Sequence, residues 1–439
     1  MDSYLALEKT LLVLCADLAI IVAAARIFGW LFGKVGQPPV VGEILAGVIL
    51  GPSLLGRLYP GVIQMLLPPK TASLLSAFAQ IGLILLMLLI GLEFPFDRMR
   101  HAAKASISVA VAGIVVPFAS SYALAGWLYR LAPGGSSLGA FRLFFATAVS
   151  ITAIPIMGRI LIHTRLTRTR MGLTSITAAA LDDVLGWLLL GAVVATVTHG
   201  GMDLGRLALS LGGVLVLGMG FWALGRYGLT RLKVARTPSG GLSAGALAGV
   251  LTAAFTCAMI TNALGVFSIF GGFLCGIAGS FNRDLREAIK TSIGDLVAVL
   301  FLPIFFVFSG LRTDVGSLGS DGRLWLALAA VVAVSCASKF GATALAARGA
   351  GLPWKESLSI GLLMNTRALM ALVVINIGAD MGVVSPAAFF WLVTMALFTT
   401  VITTPILRRA YPSPEAAGAW ADEPPEPRNV AGAKGLRLS

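Results

Sequence analysis

The fold class predicted by the sequence is an all-α polytopic membrane protein of about thirteen transmembrane helices, and three observations predict it. Hydrophobic residues fill 57% of the 439 positions. Charged residues fill only 12%, roughly half the share found in soluble domains. The mean hydropathy of +0.90 means that the apolar surface exceeds what a water-soluble fold of this length could bury. Together they exclude a soluble enzyme, a nucleic-acid binder and a disordered chain. The formal charge of +13 is therefore read by side of the membrane.

Apolar runs between charged or Pro/Gly-rich breaks place spans near 8–33, 38–55, 72–94, 102–130, 138–162, 171–198, 203–226, 241–263, 265–281, 287–312, 323–347, 354–378 and 386–407. The first is too long for a signal peptide and lacks a small-residue cleavage pattern, so it counts as a span. Span two carries VGEILAGVILG and span three ends in LLIGLEFPFD. Span four follows the basic run Arg98, Arg100 and Lys104. Span five carries SITAIPIMG, in which Pro155 cannot donate to the helix ladder and Ser150 and Thr152 can satisfy freed backbone groups. Span six carries TAAALDDVLGW, and span seven reads as a linker. Spans nine and ten carry FGGFLCGIAG and VFSGLRTDVG, span eleven SCASKFGATALAA, and span twelve MNTRA, with Asn365, Thr366 and Arg367 at the depth of the span-five interruption. Residues 411–439 form a short Pro/Glu-rich tail, expected to be disordered and cytoplasmic.

Loops after odd-numbered spans, with the C-terminus, hold about 21 Lys/Arg, including Arg165, Arg168 and Arg170, against about eight on the other side. The N-terminus is therefore expected outside and the C-terminus in the cytoplasm. Two stretches repeat in order: Val41–Gly51 resembles Phe270–Gly279, and Leu88–Asp97 resembles Val307–Gly316. Spans one to six (about 8–198) then correspond to spans eight to thirteen (about 241–407), with the linker at 203–226, all within a transmembrane domain covering 1–410. Seven spans separate the copies, so the second is inverted. Inverted repeats with interrupted helices in matching positions point to a secondary transporter whose site lies at the midplane.

Charges inside spans are expensive, about 2.5–3.5 kcal/mol each on insertion scales, so their positions are informative. Asp182 and Asp183 lie at the centre of span six. Neighbours on a helix point about 100° apart, so one can meet a partner helix while the other faces a cavity. Lys339, near the centre of span eleven, is the most plausible counter-charge, and a purely structural Asp182–Lys339 pair is compatible with a site beside it. Arg367 is expected to compensate the C-terminal dipole of a broken helix, and Arg159 to cap span five. Asp17, Glu43 and Asp295 are expected to be helix contacts or vestibule residues. Cys15, Cys257, Cys275 and Cys336 sit in apolar runs without disulfide or metal spacing, and His101, His163 and His199 lie near segment ends, so no cofactor is expected.

GQPPVVGEILAGVILGPSLLG, LLIGLEFPFD, SITAIPIMGRIL, TAAALDDVLGW, LPIFFVFSGLRTD and GLLMNTRALMALVVINIGADMGVVSP, in this order, resemble the monovalent cation/proton antiporter superfamily of the Na+/H+ exchanger fold, specifically its bacterial cation/proton antiporter-2 branch. The resemblance covers residues 10–408. It implies thirteen helices, a homodimer, and two crossed discontinuous helices in a core that slides against a dimerisation unit. It further implies that Asp183 is the carboxylate for the transported monovalent cation, that Asp182 and Lys339 form the buried pair of electrogenic members, and that Thr152 contributes oxygen. Relatives often read NTRG followed by LMEL where this chain has Ala368 and Ala371, which leaves ion preference open. Large regulatory C-terminal domains of some branch members have no counterpart in the short tail, so nucleotide or glutathione gating within this chain is not expected.

The expected function is proton exchange for Na+ or K+ by alternating access in the inner membrane, serving pH homeostasis, in a transporter rather than an enzyme. A channel-like potassium efflux protein and a sodium-coupled symporter of an organic solute are the alternatives. The first would want a TVGYG-like carbonyl filter, which the sequence lacks. The second would want a roomy polar cavity, and polar residues near Asp183 are sparse.

Overall fold

The computed structural model describes residues 2–59, 61, 68–93, 96–152, 154–164, 166–167, 169–198, 204–231, 236–238, 240–264 and 267–411. Helices occupy all thirteen expected segments. They are Asp2–Lys34 (span one), Pro39–Leu50 (two), Pro69–Leu92 (three), Phe96–Leu131 (four), Leu138–Ser150 with Ile154–His163 (five), Arg170–Thr198 (six) and Leu204–Ala223 (seven). Ala244–Ala263 (eight), Ser268–Ser280 (nine), Arg283–Leu296 running through a π-helical turn into Leu302–Leu311 (ten), Gly322–Gly349 (eleven), Trp354–Met364 with Leu369–Asp380 (twelve) and Pro386–Ala410 (thirteen) complete the set. Ten of the described helical segments are long and apolar enough to cross a bilayer. The chain is a multi-pass membrane protein.

Local chemistry sets the helix starts. Ser137, Ser243, Asn282, Asp321 and Ser385 each accept a backbone N–H from the first turn that follows. Pro39, Pro69 and Pro386 open their helices, where a missing N–H is harmless. Span two ends earlier than expected, at Leu50, because Gly51 turns extended and the chain resumes only as the short helix Leu55–Leu58.

The helices sort into two clusters joined by span seven. Spans one, two, three, eight, nine and ten pack into a scaffold; spans four, five, six, eleven, twelve and thirteen pack into a core. Packing inside each cluster is symmetric under exchange of the repeats. Span two lies on ten as nine lies on three, one on two as eight on nine, and four on five as eleven on twelve. Glycine makes the closest of these contacts. A Cβ on Gly47 would stand 2.8 Å from Gly310 Cα, and one on Gly276 would stand 2.8 Å from Gly91 Cα. Gly42 likewise abuts the Phe28 backbone as Gly271 abuts that of Cys257. Only glycine lets backbones approach so closely, and close approach supplies the dispersion that holds helices together in lipid.

Spans five and twelve are each broken, at residues 151–152 and 365–368. Both interruptions sit inside the core cluster, where the first half of span five packs against the second half of span twelve. The basic run Arg98 and Arg100, the cap assigned to Arg159, the three histidines, the Pro155 side chain, Arg165, Arg168 and the tail beyond residue 411 lie outside the described residues or side chains.

Candidate functional site

Breaking a helix in an apolar interior frees backbone groups that must find partners. At the span-five break the freed carbonyl of Ser150 accepts a hydrogen bond from Lys339 Nζ, and the freed N–H of Thr152 donates to Asp182 Oδ2 at 2.7 Å. Lys339 Nζ also donates to Asp182 Oδ2, at 3.0 Å. A single buried ion pair, with both side chains 0% exposed, thus holds both ends of the interruption. The hydroxyls serve backbone carbonyls at the breaks, as expected. Ser150 Oγ donates to the Thr147 carbonyl of its own helix, and Thr152 Oγ1 donates to the Met364 carbonyl at 3.1 Å, tying the two breaks together. Gly186, one turn beyond Asp182, leaves room for the Ile151 side chain in the break. Gly113 on span four lies beside Lys339, where a Cβ would stand 3.6 Å from Nζ.

The two aspartates diverge as helix geometry requires. Asp182 is ion-paired to Lys339 and accepts from Thr152 through Oδ2, its Oδ1 having no hydrogen-bond partner. Asp183 is 2% exposed, and its Oδ1 has no hydrogen-bond partner. An isolated carboxylate charge is costly in such surroundings, so the group calls for a proton or a cation. Asn365 Oδ1, in the span-twelve break, is also buried without a partner.

Arg367 departs from the expectation. Rather than meeting a helix C-terminus, its guanidinium donates to the Ser335 carbonyl of span eleven at 2.8 Å and to Met395 Sδ of span thirteen at 3.1 Å. Thr400 Oγ1 and Thr403 Oγ1 of span thirteen lie 3.4 and 3.3 Å from the Arg367 and Leu362 carbonyls, although each has a shorter bond, at 2.8 Å, to a carbonyl of its own helix, that of Ala396 and Thr399 respectively. Thr366 Oγ1 donates to the Leu363 carbonyl within its own break. Among the remaining membrane acids, Asp17 is buried, Glu43 half-buried and Asp295 exposed.

A cavity of about 320 Å³ opens at one end of the scaffold–core boundary, lined among others by Gln80, Leu83, Val194, Phe305, Arg312 and Asp380. Its lining on span six stops at Val194, about 16 Å along the helix from Asp183. Trp187 and Phe270, ring centroids 6.2 Å apart, followed by Phe273 at 5.9 Å from Phe270, bridge core and scaffold one turn from Asp183. All three are nearly fully buried. These aromatics and the threonines of span thirteen are absent from the sequence-based site. The TT-x-x-TT spacing of Thr399, Thr400, Thr403 and Thr404 would have flagged one polar face in an apolar helix.

A membrane helix bundle with two broken helices crossing beside an unpaired buried carboxylate defines an ion-coupled secondary transporter. The chain belongs to the sodium/hydrogen exchanger family, whose transmembrane region matches residues 21–409. It is 38% identical over 408 residues to the Na+/H+ antiporter NhaS4 of Synechocystis sp., covering 92% of this chain and 99% of that protein. It is 34% identical to cation/H+ antiporter 17 of Arabidopsis thaliana, covering 92% of this chain and 49% of the relative, so the chain spans about half that plant protein's length. The sodium proton antiporter MjNhaP1 of Methanocaldococcus jannaschii shares the fold, with a TM-score of 0.66 at 15% identity over 93% of this chain and 98% of that one.

Proposed function

We propose that the chain exchanges protons for a monovalent cation, Na+ or K+, by alternating access, with Asp183 as the carboxylate that both ligands share. One observation carries this reading. Of two adjacent buried aspartates, Asp182 is tied through Oδ2 to Lys339 and the Thr152 N–H, while Asp183 has neither an ion pair nor a hydrogen bond among the described residues. The similarity to Na+/H+ and cation/H+ antiporters supports the same substrates.

The chemistry is that of a transporter rather than an enzyme. Proton and cation cannot both occupy Asp183, so release of one admits the other. The core, carrying both breaks and the pair, slides against the scaffold and presents Asp183 to each side in turn. The cavity marks the side expected to be external, and the aromatic bridge at Trp187 separates it from the site. A homodimer formed through the scaffold, placement in the inner membrane, an external N-terminus and a cytoplasmic C-terminus belong to the same reading, as does the division of residues 1–410 into repeats at about 8–198 and 241–407.

A cation arriving at Asp183 repels the nearby ammonium of Lys339. If Lys339 then gives up its proton, each turn moves two protons against one cation and carries charge. Proteoliposomes reporting internal pH by dye, challenged in turn with Na+, K+ and Li+ with and without an imposed membrane potential, test this. Cation-evoked proton movement that responds to the potential is expected. Cation flux without proton movement contradicts exchange, and indifference to potential contradicts the two-proton cycle.

A further inference from the structure

Of the ion pairs among the described residues, Arg312–Asp380 alone joins the scaffold to the core. Arg312 stands at the end of span ten, and Asp380 closes span twelve; their closest atoms are 2.7 Å apart. The bridge is wider than the pair. Arg312 Nη1 also donates to Asn376 Oδ1 at 3.2 Å, and Asn376 Nδ2 donates back across the boundary to Ser309 Oγ at 2.8 Å. The guanidinium lies 5.8 Å from the ring of Phe389 on span thirteen and 5.7 Å from that of Phe308 on its own span. One scaffold residue thereby engages two core helices, at the rim of the cavity it helps to line.

The matching place in the other repeat is wired differently. Gly91 and Gly310 correspond, which sets Glu93 opposite Arg312 in the repeat alignment. Glu93 carries the opposite charge, and it pairs at 2.8 Å with Lys290, a residue of the same scaffold cluster. At that end, Glu93 is thus tied within the scaffold, whereas its mate ties the scaffold to the core. An inverted-repeat transporter with identical locks at both ends would have no intrinsic side preference. At this position, Arg312 against Glu93, the symmetry is broken.

We infer that Arg312, through Asp380 and Asn376, is a positioning residue that weights the conformational equilibrium towards the state in which this cavity is open. The inference rests on the relative movement of core and scaffold proposed above. Sliding the core parts Asp380 and Asn376 from Arg312, so the contacts exist in one state and not the other. Only such differential interactions can shift a two-state equilibrium. Charge-assisted hydrogen bonds are the stronger ones, and partial burial of the pair, with side chains 27% and 47% exposed, limits the loss to solvent and salt.

The test is cysteine accessibility. Val194→Cys in a background without the four native cysteines places a thiol on the core wall of the cavity. Its labelling rate by a membrane-impermeant thiosulfonate reports how often this side is open. Arg312→Gln and Asp380→Asn should each slow labelling about two- to fivefold, the range for a tenfold shift of an equilibrium lying between ten to one and even. The charge swap Arg312→Asp with Asp380→Arg should restore the rate to within about twofold, a rescue that a merely structural role would not give. Folding of every variant is checked by monodisperse gel filtration. Labelling at the parent rate in both single variants overturns the latch, as does a swap no faster than the singles. If cation and pH jumps also leave the parent rate unchanged, the sliding movement itself fails and the latch fails with it; a ligand-sensitive rate indifferent to Arg312 removes the latch alone.

Discussion

Replacing Lys339 by Gln removes the ammonium that serves the Ser150 carbonyl and Asp182 Oδ2 together. Both members of the pair are 0% exposed, and breaking a buried pair from one side costs about 3–5 kcal/mol because a charge is left uncompensated. Asp182 retains one donor, the Thr152 N–H at 2.7 Å, which places the loss near the lower end, about 3 kcal/mol. At roughly 2 °C per kcal/mol the midpoint of unfolding falls by about 6 °C. The double variant Asp182→Asn with Lys339→Gln removes both charges and leaves an amide to accept from Thr152. It should recover at least half of the lost stability, an interaction of roughly 1.5 kcal/mol or more in a double-mutant cycle. Thermal unfolding in detergent, followed by tryptophan fluorescence, gives all four corners of the cycle. A single variant within about 1 °C of the parent, or a double variant less stable than the single, would refute the claim that this pair holds the span-five break.

If protons and cations compete for Asp183, the apparent KM for the cation rises as pH falls, by up to about tenfold per pH unit for that one proton and more steeply where Lys339 also releases its proton; a KM independent of pH across three units contradicts competition. Gly276→Val should lower the yield of folded protein sharply, since a Cβ there already meets Gly91 Cα at 2.8 Å, whereas Gly212→Val, with nothing within 4 Å, should fold normally. Equal yields on gel filtration argue against the glycine contact. Cysteine pairs cross-linked between scaffold and core should stop exchange until reduced, and full activity in the locked form contradicts sliding.

Much of the architecture was legible because the bilayer makes charge and backbone irregularity scarce. Asp182, Asp183, Lys339 and Arg367 stood out as ionised groups in long apolar runs, and Pro155 and MNTRA marked both breaks. The repeat was legible through glycines at matched positions, and the contacts of Gly47 with Gly310 and Gly276 with Gly91 explain why those positions cannot vary in size. The partner of each polar group was less legible. Nothing in the order of residues says that Thr152 would bond Met364 or that Arg367 would face Ser335, because those choices depend on how far each helix is rotated and tilted. Arg312 and Asp380 escaped notice because charges at helix ends ordinarily look like solvated termini. Asp17 and Asp295 read alike in sequence yet differ in burial, since the face a helix turns to its neighbours is set by tertiary packing.

The central claim is that Asp183, and not its neighbour, is the place where proton and cation meet. Asp183→Asn keeps the volume of the side chain and removes its charge and its capacity to carry the exchanged proton. Dye-reported exchange in proteoliposomes made from gel-filtered protein tests the claim most directly. The account predicts that cation-evoked proton movement is abolished, to below about a hundredth of the parent rate, with gel-filtration profile and unfolding midpoint unchanged. Exchange at the parent rate in that folded variant would contradict it.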